Sequence, residues 1–425
     1  MLRPLPTKFG VGFTIPDSDF NNLDSGLLLL HKHLKWIESY AYKKVGDHHN
    51  YYVTAENWSW PNDVQIPDTK FVIDGFSPNL NKSLHVGHLR NLAIANSLSK
   101  ILSFNHRGVE THHYKAKFVA MLGASLGVKK FALDGWRYWT NFLHYKPEEY
   151  FDITLPDDMV KSRLVEDQES IGSGSCVWDG PQGPVIVKRS DGRPLYAFHD
   201  LTFAAYVGPT HYVTGQEQKE HFMTLGLGDK HLPMGLVLGQ DNKKLKSRTG
   251  DALPATELIE MLMNRLEGES DVKTKLAWNI LAWNFLHTTR EKNIKFDVES
   301  WTRPDQGGLY ISYTYARAVS ALGKKGQQLT RVYRNQEMRS PLQEIDISLL
   351  GFAEQYRFYY QESVNRLDSA PIANFAFDLA KLISQAYEKE KVNGGRIGFN
   401  QAFEHATWRL EMCMSDLGMF RLYEV

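Results

Sequence analysis

The chain has 425 residues and a mass of 48.7 kDa, with 49 basic and 49 acidic side chains and 42% hydrophobic residues. At roughly 150 residues per domain, this length predicts about three structural units, and the ordinary composition excludes a globally disordered chain. The net charge of zero excludes a uniformly polycationic binder, although a basic face balanced by an acidic one is still compatible with nucleic acid.

The cysteine content and the apolar pattern bear on the compartment. Cys176 and Cys413 are too few for a disulfide framework or a cysteine-rich zinc site. The opening MLRPLPTKFG lacks the apolar core of a signal peptide, and no apolar run approaches the roughly 18 residues of a membrane span. Three pairs of histidines lack the spacing of zinc ligands, so no protein metal ligands are predicted. The pairs are His31/His33, His48/His49 and His112/His113. We therefore expect a cytoplasmic protein with no membrane partner.

The first 65 residues are predicted to form a small N-terminal module. Residues 25–44, SGLLLLHKHLKWIESYAYKK, carry apolar residues at the spacing of an amphipathic helix. Residues 50–60, NYYVTAENWSW, are typical of a strand.

A strand, a polar loop and a helix follow one another from Thr69 onward. TKFVIDGF predicts a buried strand, SPNLNKS a loop, and LHVGHLRNLAIANSLSKIL a helix with apolar residues at helical spacing. This order is the entry to an α/β nucleotide-binding unit. THYVTG at 210–215 and LPMGLVLG at 232–239 predict two further strands. Residues 66–304 are therefore predicted to be an α/β domain, and the helical pattern of 305–425 predicts an all-α domain.

Two histidines stand one turn apart at the start of the predicted helix. In HVGH, His85 and His88 can hold the phosphates of ATP with help from the helix dipole, and Gly87 leaves room for a purine against the backbone. A helix that happens to carry two histidines explains the tetrapeptide alone equally well. The strand–loop–helix context favours the ATP site.

A basic loop, KKLKSR at 243–248, follows the last of these strands. Ammonium groups on such a loop can neutralise a triphosphate as a transition state forms. A solvated basic loop is the usual meaning of such a run. Its occurrence together with HVGH favours nucleotidyl transfer.

These two motifs resemble the paired signatures of class I aminoacyl-tRNA synthetases, and their surroundings resemble the arginyl-tRNA synthetase family. The similar segments occur in that family's order between about residues 71 and 320. They are SPNLNKSLHVGHLRN, RSDGRPLYAFHDLTFA, VTGQEQKEHF, KKLKSRTGDALPATELIE and GLYISYTYARAVS. The last of them is similar to the opening of the family's helical anticodon-binding domain.

The resemblance implies a Rossmann-like class I catalytic domain and an arginine–tRNA ligase. Such an enzyme activates arginine with ATP and Mg²⁺ and transfers it to the 3′ end of tRNA. The residues that the resemblance assigns to ATP and its chemistry are Lys82, His85, Gly87, His88, Lys244, Lys246 and Ser247. Those that it assigns to arginine are Asn79, Tyr196, Asp200 and Gln218, with His221 as a weaker candidate. A carboxylate beside an aromatic ring, as in Tyr196 and Asp200, suits a guanidinium.

The chain also departs from the family pattern. HHYKAKFVAMLGASLG at 112–127 replaces a Gly-Asp-Trp-Gly-like motif, and the second acid for the guanidinium could be Glu149, Asp152 or Asp157. The altered segment leaves open an enzyme that activates arginine or a related amino acid for an acceptor other than tRNA. A catalytically silent tRNA-binding relative is a third possibility. We expect a compact, monomeric member of the family with tRNA, arginine and ATP as partners.

Overall fold

The computed structural model divides the chain into two compact units, which are described separately. One comprises 1–66, 265–287 and 299–425, and the other comprises 67–264 and 288–298. The residues that the structure describes are 3–5, 11–16, 41–45, 48–53, 71–75, 84–103, 109–111, 164–167, 175–192, 195, 197–198, 200–201, 204, 210–245, 252–329 and 343–423. No helix among these residues is long and apolar enough to cross a membrane. The three-domain division at 65/66 and 304/305 stays a prediction.

An antiparallel sheet of order β1-β2-β4-β3 occupies the N-terminal region. Its strands are β1 (Arg3–Leu5), β2 (Val11–Pro16), β3 (Ala41–Val45) and β4 (His48–Val53). The helix predicted over 25–44 is therefore wrong at its end, because residues 41–44 lie in β3. Val45 at the end of β3 pairs with His48 at the start of β4. Residues 25–40 lie outside the described part.

The second unit is α/β. Its elements in chain order are β5 (Phe71–Asp74), α1 (Val86–Ser103), β6 (Val109–Thr111), β7 (Leu164–Asp167), β8 (Ser175–Gly180), β9 (Gly183–Lys188), β10 (Thr210–Gly215), a 3-10 turn (Gln216–Gln218), α2 (Lys219–Thr224), a second 3-10 turn (Gly228–Lys230), β11 (His231–Met234), β12 (Val237–Leu238), α3 (Ala255–Met263) and β13 (Ile294–Lys295).

The main sheet has the order β11-β10-β5-β6, and every pairing in it is parallel. Tyr212 on β10 is in register with Asp74 on one side and with His231 on the other. This arrangement confirms the predicted parallel sheet. It also brings the carboxyl ends of β5 and β10 to one edge, where open α/β sheets bind their ligands.

Helix α1 lies against this sheet at very short range. A Cβ added to Gly75, which follows β5 directly, would lie 1.9 Å from the Cβ of Ala95. Leu89, Leu92 and Leu98 on the helix are fully buried. Only glycine has room at this position, where the chain leaves β5 so close to the helix. The close contact fixes the position of α1 relative to β5.

The strand predicted over 232–239 is interrupted in the structure. It forms β11 and β12, with Gly235 between them, and β12 pairs in parallel with β13. A Cβ on Gly235 would lie 2.4 Å from the carbonyl carbon of Lys292. The sequence pattern did not indicate the break, because its cause is the approach of a distant backbone segment.

The remaining elements of the first unit are helical, as predicted for the C-terminal region. The helices that follow α3 in chain order are α4 (Ser270–Leu286), α5 (Val298–Trp301), α6 (Gly307–Ala321), α7 (Glu344–Glu354), α8 (Tyr356–Arg366), α9 (Ala370–Lys389) and α10 (Ile397–Asp416). Helices α4 and α6 touch at Gly308, where an added Cβ would lie 2.1 Å from the carbonyl oxygen of Asn279.

A buried carboxylate joins α7 to α10. Glu354 accepts hydrogen bonds from Arg409 and His405, and the second of these spans 2.9 Å. Burial alone would raise the pKa of Glu354, but the charge of Arg409 and the hydrogen bond from His405 outweigh burial and lower the pKa to about 2. The ionised carboxylate therefore stabilises the folded helices at neutral pH.

Replacing Glu354 with Gln should lower the free energy of unfolding by about 3 to 5 kcal/mol, because Arg409 loses its charged partner while it stays buried. The pKa of Glu354 in the folded protein lies below its ordinary value of 4.5. Its contribution is therefore complete above that pH and is lost as the pH falls toward about 2. Urea unfolding at pH 7 and across the acid range measures both effects. The same change at the exposed Glu388 is the matched control, and equal losses at both positions would contradict the assignment.

Candidate functional site

A cavity of about 510 Å³ opens at the carboxyl edge of the parallel sheet. Asp74 at the end of β5, Thr214 and Gly215 at the end of β10, and the first turn of α1 line it. The 3-10 turn at 216–218, α2, the loop after β12 and Asp200 also contribute to the lining. The cavity thus lies where a helix N-terminus and strand ends meet.

The two histidines of HVGH cap the helix that carries them. Nδ1 of His85 accepts a hydrogen bond from the backbone N–H of Gly87 at 3.1 Å, and Nδ1 of His88 accepts one from the backbone N–H of His85, also at 3.1 Å. In both hydrogen bonds an imidazole nitrogen takes the place of the side-chain oxygen that usually caps a helix N-terminus. The two rings stack with their centroids 3.7 Å apart.

This capping determines which ring nitrogens can donate hydrogen bonds. Because Nδ1 is the acceptor in both neutral rings, the proton of each ring is assigned to Nε2. His85 and His88 both line the cavity. A Cβ on Gly87 would lie 3.0 Å from Cε1 of His85, so glycine at this position also preserves the position of the ring.

Backbone hydrogen bonds hold the HVGH turn beside the start of α3. Val86 N–H donates to the carbonyl of Leu253 at 3.0 Å, and Ala255 N–H donates to the carbonyl of Leu84 at 2.8 Å. The residues that follow the basic loop are thereby held next to the histidines.

The start of the basic loop is a short hairpin. Leu245 N–H donates to the carbonyl of Val237 at 3.0 Å, and Gly239 N–H donates to that of Lys243 at 2.8 Å. The turn includes Asn242 at a φ of 59°, a left-handed conformation that asparagine tolerates well. Lys244 lies on the returning arm, is exposed, and lines the cavity.

A carboxylate and an imidazole meet on the α2 side of the cavity. Nε2 of His221 lies 2.6 Å from Oδ2 of Asp200. The exposed fraction is 32% for the His221 side chain and 15% for that of Asp200, so the pair is largely enclosed and still reaches the cavity. Gln218 and Glu217 on the preceding 3-10 turn line the same side.

An aromatic stack supports this side of the cavity. Phe222, next to His221 in the chain, stacks on Tyr212 at 4.7 Å and on His231 at 4.9 Å between ring centroids. Nε2 of His231 is 2.9 Å from the hydroxyl of Thr214. Burial lowers the pKa of His231, so its ring is neutral at pH 7.

The structure brings together every predicted site residue that it describes. Six of them line this one cavity: His85, Gly87, His88, Asp200, Gln218 and Lys244. Five lie outside the described residues: Asn79, Lys82, Tyr196, Lys246 and Ser247. The three candidates for the second acid, Glu149, Asp152 and Asp157, also lie outside them.

Sequence reasoning missed several lining residues, among them Asp74, Asn91, Tyr212, Thr214 and Glu217. Asp74 had a usable signal, since it is an acid that closes an apolar strand at the binding edge of a parallel sheet. The described lining carries three carboxylates and one lysine, so with neutral histidines the cavity is negative and suits a cation. In the described part of the chain, no group of three or more His, Cys, Asp or Glu side chains could hold a metal.

A buried arginine ties α1 to the backbone that leads into the hairpin. Arg90 is fully buried, and its guanidinium donates to the carbonyl of Gly235 at 2.6 Å and to that of Lys292 at 2.8 Å. Longer hydrogen bonds reach the carbonyls of Leu236 and Arg290. One side chain thus connects three segments of this unit.

Several known proteins are similar to this chain in sequence or in fold. Residues 311–415 match the model of the DALR anticodon binding domain. An arginine–tRNA ligase of Clostridium kluyveri is 30% identical over 247 residues, which cover 49% of this chain and only 42% of that relative's own length. An arginine–tRNA ligase of Clostridium botulinum is 26% identical over 415 residues, which cover 74% of this chain and 72% of the relative.

The fold also has a solved counterpart. The crystal structure of arginyl-tRNA synthetase from Plasmodium falciparum aligns with a TM-score of 0.68 at 16% identity, covering 100% of this chain and 95% of that chain. This likeness confirms the predicted fold class, an α/β class I synthetase domain with a C-terminal helical bundle.

Replacing Arg90 with Lys should lower the free energy of unfolding by about 2 to 4 kcal/mol, because a single ammonium cannot reach carbonyls on separate segments. Urea unfolding, followed by circular dichroism, provides the measurement. Arg189 in the same unit is exposed, so its change to Lys is the matched control and should be nearly neutral. A stable Arg90→Lys variant would show that the four carbonyls do not need the guanidinium fork.

Proposed function

We propose that this chain, which belongs to the arginyl-tRNA synthetase family, is an arginine–tRNA ligase. The observation that carries the proposal is the single cavity that gathers His85, His88, Asp200, Gln218 and Lys244 from four different segments. Their chemistry divides into donors suited to a triphosphate and acceptors suited to a guanidinium.

The donor side of the cavity is the start of α1. Two Nε2–H groups, the positive end of the helix dipole and the ammonium of Lys244 can all face phosphate oxygens. Mg²⁺ prefers oxygen ligands, and we infer that it enters bound to the phosphates of ATP, whose charge it neutralises. The capping bonds keep both imidazoles oriented before the nucleotide arrives, so little reorganisation is required.

The acceptor side of the cavity would take the amino acid. Asp200, Glu217 and Asp74 give this side negative charge, which attracts the guanidinium and the α-ammonium of arginine. Gln218 offers an amide to the backbone groups of the amino acid.

The reaction needs no protein nucleophile. A carboxylate oxygen of arginine attacks the α-phosphorus of ATP, and the bond from that phosphorus to the pyrophosphate oxygen breaks, which yields arginyl-adenylate. A hydroxyl of the terminal ribose of tRNA then attacks the activated carbonyl, and AMP leaves. The cavity acts by positioning the reactants and by stabilising the charge on pyrophosphate.

A second cavity, in the helical unit, suits the nucleic acid. It has a volume of about 490 Å³, and Tyr310, Tyr313, Arg317, Lys325 and Tyr423 are among its lining residues. Aromatic rings and cations around a pocket are the means by which proteins hold an unstacked base. Most of α6, which supplies three of these residues, lies within the region that matches the anticodon-binding model. We infer that this cavity receives a base of the tRNA.

The two alternatives account for less of the molecule. An enzyme with an acceptor other than tRNA has no use for a helical region that matches an anticodon-binding model. A silent tRNA-binding relative has no chemical need for two oriented imidazoles and a lysine in one cavity. We further infer that the ligase is a monomer and acts in the cytoplasm. Arginine-dependent pyrophosphate exchange, together with transfer of arginine to tRNA, separates the three functions.

Replacing His88 with Ala should reduce arginine-dependent pyrophosphate exchange by about 100-fold or more, because one transition-state donor is lost. The change also removes the acceptor for the N–H of His85, which should cost about 1 kcal/mol of stability.

The change of His88 to Asn is the matched control for the loss of the cap. Its amide oxygen can accept the same hydrogen bond, while no group stands where Nε2 was. Exchange should fall as far as in the Ala variant, and stability should stay near that of the wild type. Near-normal exchange in the Asn variant would mean that His88 only caps the helix.

Replacing Tyr313 with Ala should raise the KM for tRNA about tenfold, on the scale of losing one base–aromatic stack, with little change in the KM for ATP. The Phe variant keeps the ring and should behave like the wild type. Aminoacylation over a range of tRNA concentrations provides the measurement. An unchanged KM for tRNA in the Ala variant would remove this cavity from the proposal.

A further inference from the structure

His221 contacts Asp200 in the cavity, although the proposed reaction gives His221 no chemical role. We propose that His221 is a positioning residue that holds the guanidinium-binding carboxylate of Asp200, and that its proton uptake weakens arginine binding. The inference rests on the proposed function, because it assumes that arginine is the ligand of Asp200.

The side chains of His221 and Asp200 are in direct contact. Nε2 of His221 and Oδ2 of Asp200 are 2.6 Å apart, and the residues are 21 positions apart in the chain. Both side chains line the cavity. A hydrogen bond of this length to a carboxylate restricts the rotation of the carboxylate and so fixes its direction of approach to a ligand.

Aromatic side chains pack against the imidazole of His221 and hold it in place. The ring of His221 meets the ring of Phe222 edge to face, with centroids 5.3 Å apart. Phe222 is buried and lies between Tyr212 and His231. The imidazole of His221, which donates to Asp200, therefore packs against a buried aromatic cluster that restricts its movement.

The net charge of the His221–Asp200 pair depends on whether the imidazole is protonated. A neutral imidazole that donates Nε2–H leaves the pair with one negative charge, which attracts a guanidinium. A protonated imidazole makes the pair neutral and removes that attraction. Arginine binding must then displace the proton, so the affinity can fall by up to about tenfold per pH unit on the acid side.

Other charged groups face the same cavity and have to be separated from His221 in any test. Among the residues that the structure describes, they are Asp74 on β5, His85 and His88 at α1, Glu217 on the 3-10 turn and Lys244 on the hairpin, while Lys219 and Glu220 flank His221 along its own chain segment. Titration of His85 and His88 should alter the use of ATP. Titration of His221 should alter the affinity for arginine alone.

The experiment measures the dissociation constant of radiolabelled arginine by equilibrium dialysis between about pH 5.5 and 8.5, the range in which imidazoles titrate. It compares the wild type with the His221→Gln variant in the presence of tRNA. The amide nitrogen of Gln can reach the position of Nε2 and donate to Asp200, but it does not take up a proton. We expect the dissociation constant of the wild type to rise as the pH falls and that of the Gln variant to stay level. The KM for ATP should keep the same pH profile in both proteins.

Citrulline is the matched ligand control, because it has the shape and backbone groups of arginine with a neutral side-chain end. The dissociation constant of citrulline should not rise at low pH in a way that depends on His221. The Asp200→Asn variant should bind arginine weakly at every pH. If the dissociation constant of arginine rises at low pH in the His221→Gln variant as it does in the wild type, the inference is overturned.

A second measurement uses only the wild type, so that misfolding of a variant cannot affect its result. Titration calorimetry of the wild type in buffers of different ionisation enthalpy reports directly whether arginine binding releases a proton near pH 6, and citrulline binding should release none. Arginine binding without proton release would overturn the role of His221 and leave the proposed function intact. No arginine binding at any pH would instead overturn the proposed function.

Discussion

The hydrogen bonds that the backbone N–H groups of Gly87 and His85 donate to Nδ1 of His85 and Nδ1 of His88, respectively, are the interaction on which the cavity depends. They terminate α1 at the edge of the parallel sheet and use the Nδ1 atoms, so that the donor groups of both rings are the Nε2–H groups. The close packing of α1 at Gly75 and the hydrogen bonds of Arg90 then fix this helix end relative to β5, β11 and the hairpin. In the proposed function, the two side chains that cap the helix are therefore also the ones that bind phosphate.

The electrostatics of the cavity follow from where each segment ends. The start of α1 and the hairpin supply hydrogen-bond donors and a cation, whereas β5, the 3-10 turn and the Asp200 segment supply carboxylates. Arginine and ATP carry opposite charges on the groups that these two sides would meet. A cavity with this separation can hold both substrates with the carboxylate of one directed toward the α-phosphate of the other.

Much of the fold could be predicted from the sequence because its elements have local signals. Apolar runs gave the strands β5 and β10, and helical spacing gave α1, α6 and α9. The failures have long-range causes: β3 replaces the end of a predicted helix because it pairs with β4, and Gly235 interrupts a strand because Lys292 approaches it. Within the site, motifs identified six cavity residues, but the bond from Asp200 to His221 and the acceptors of Arg90 depend on segments far apart in the chain. No local pattern could show them.

We propose that this cavity selects arginine and that the protein delivers it to tRNA. Transfer of each radiolabelled standard amino acid to total tRNA, by the purified protein in the presence of ATP and Mg²⁺, tests this directly. We expect that arginine alone is transferred and that the His88→Asn variant transfers almost none. Transfer of a different amino acid, or binding of tRNA without any transfer, would contradict the proposed function.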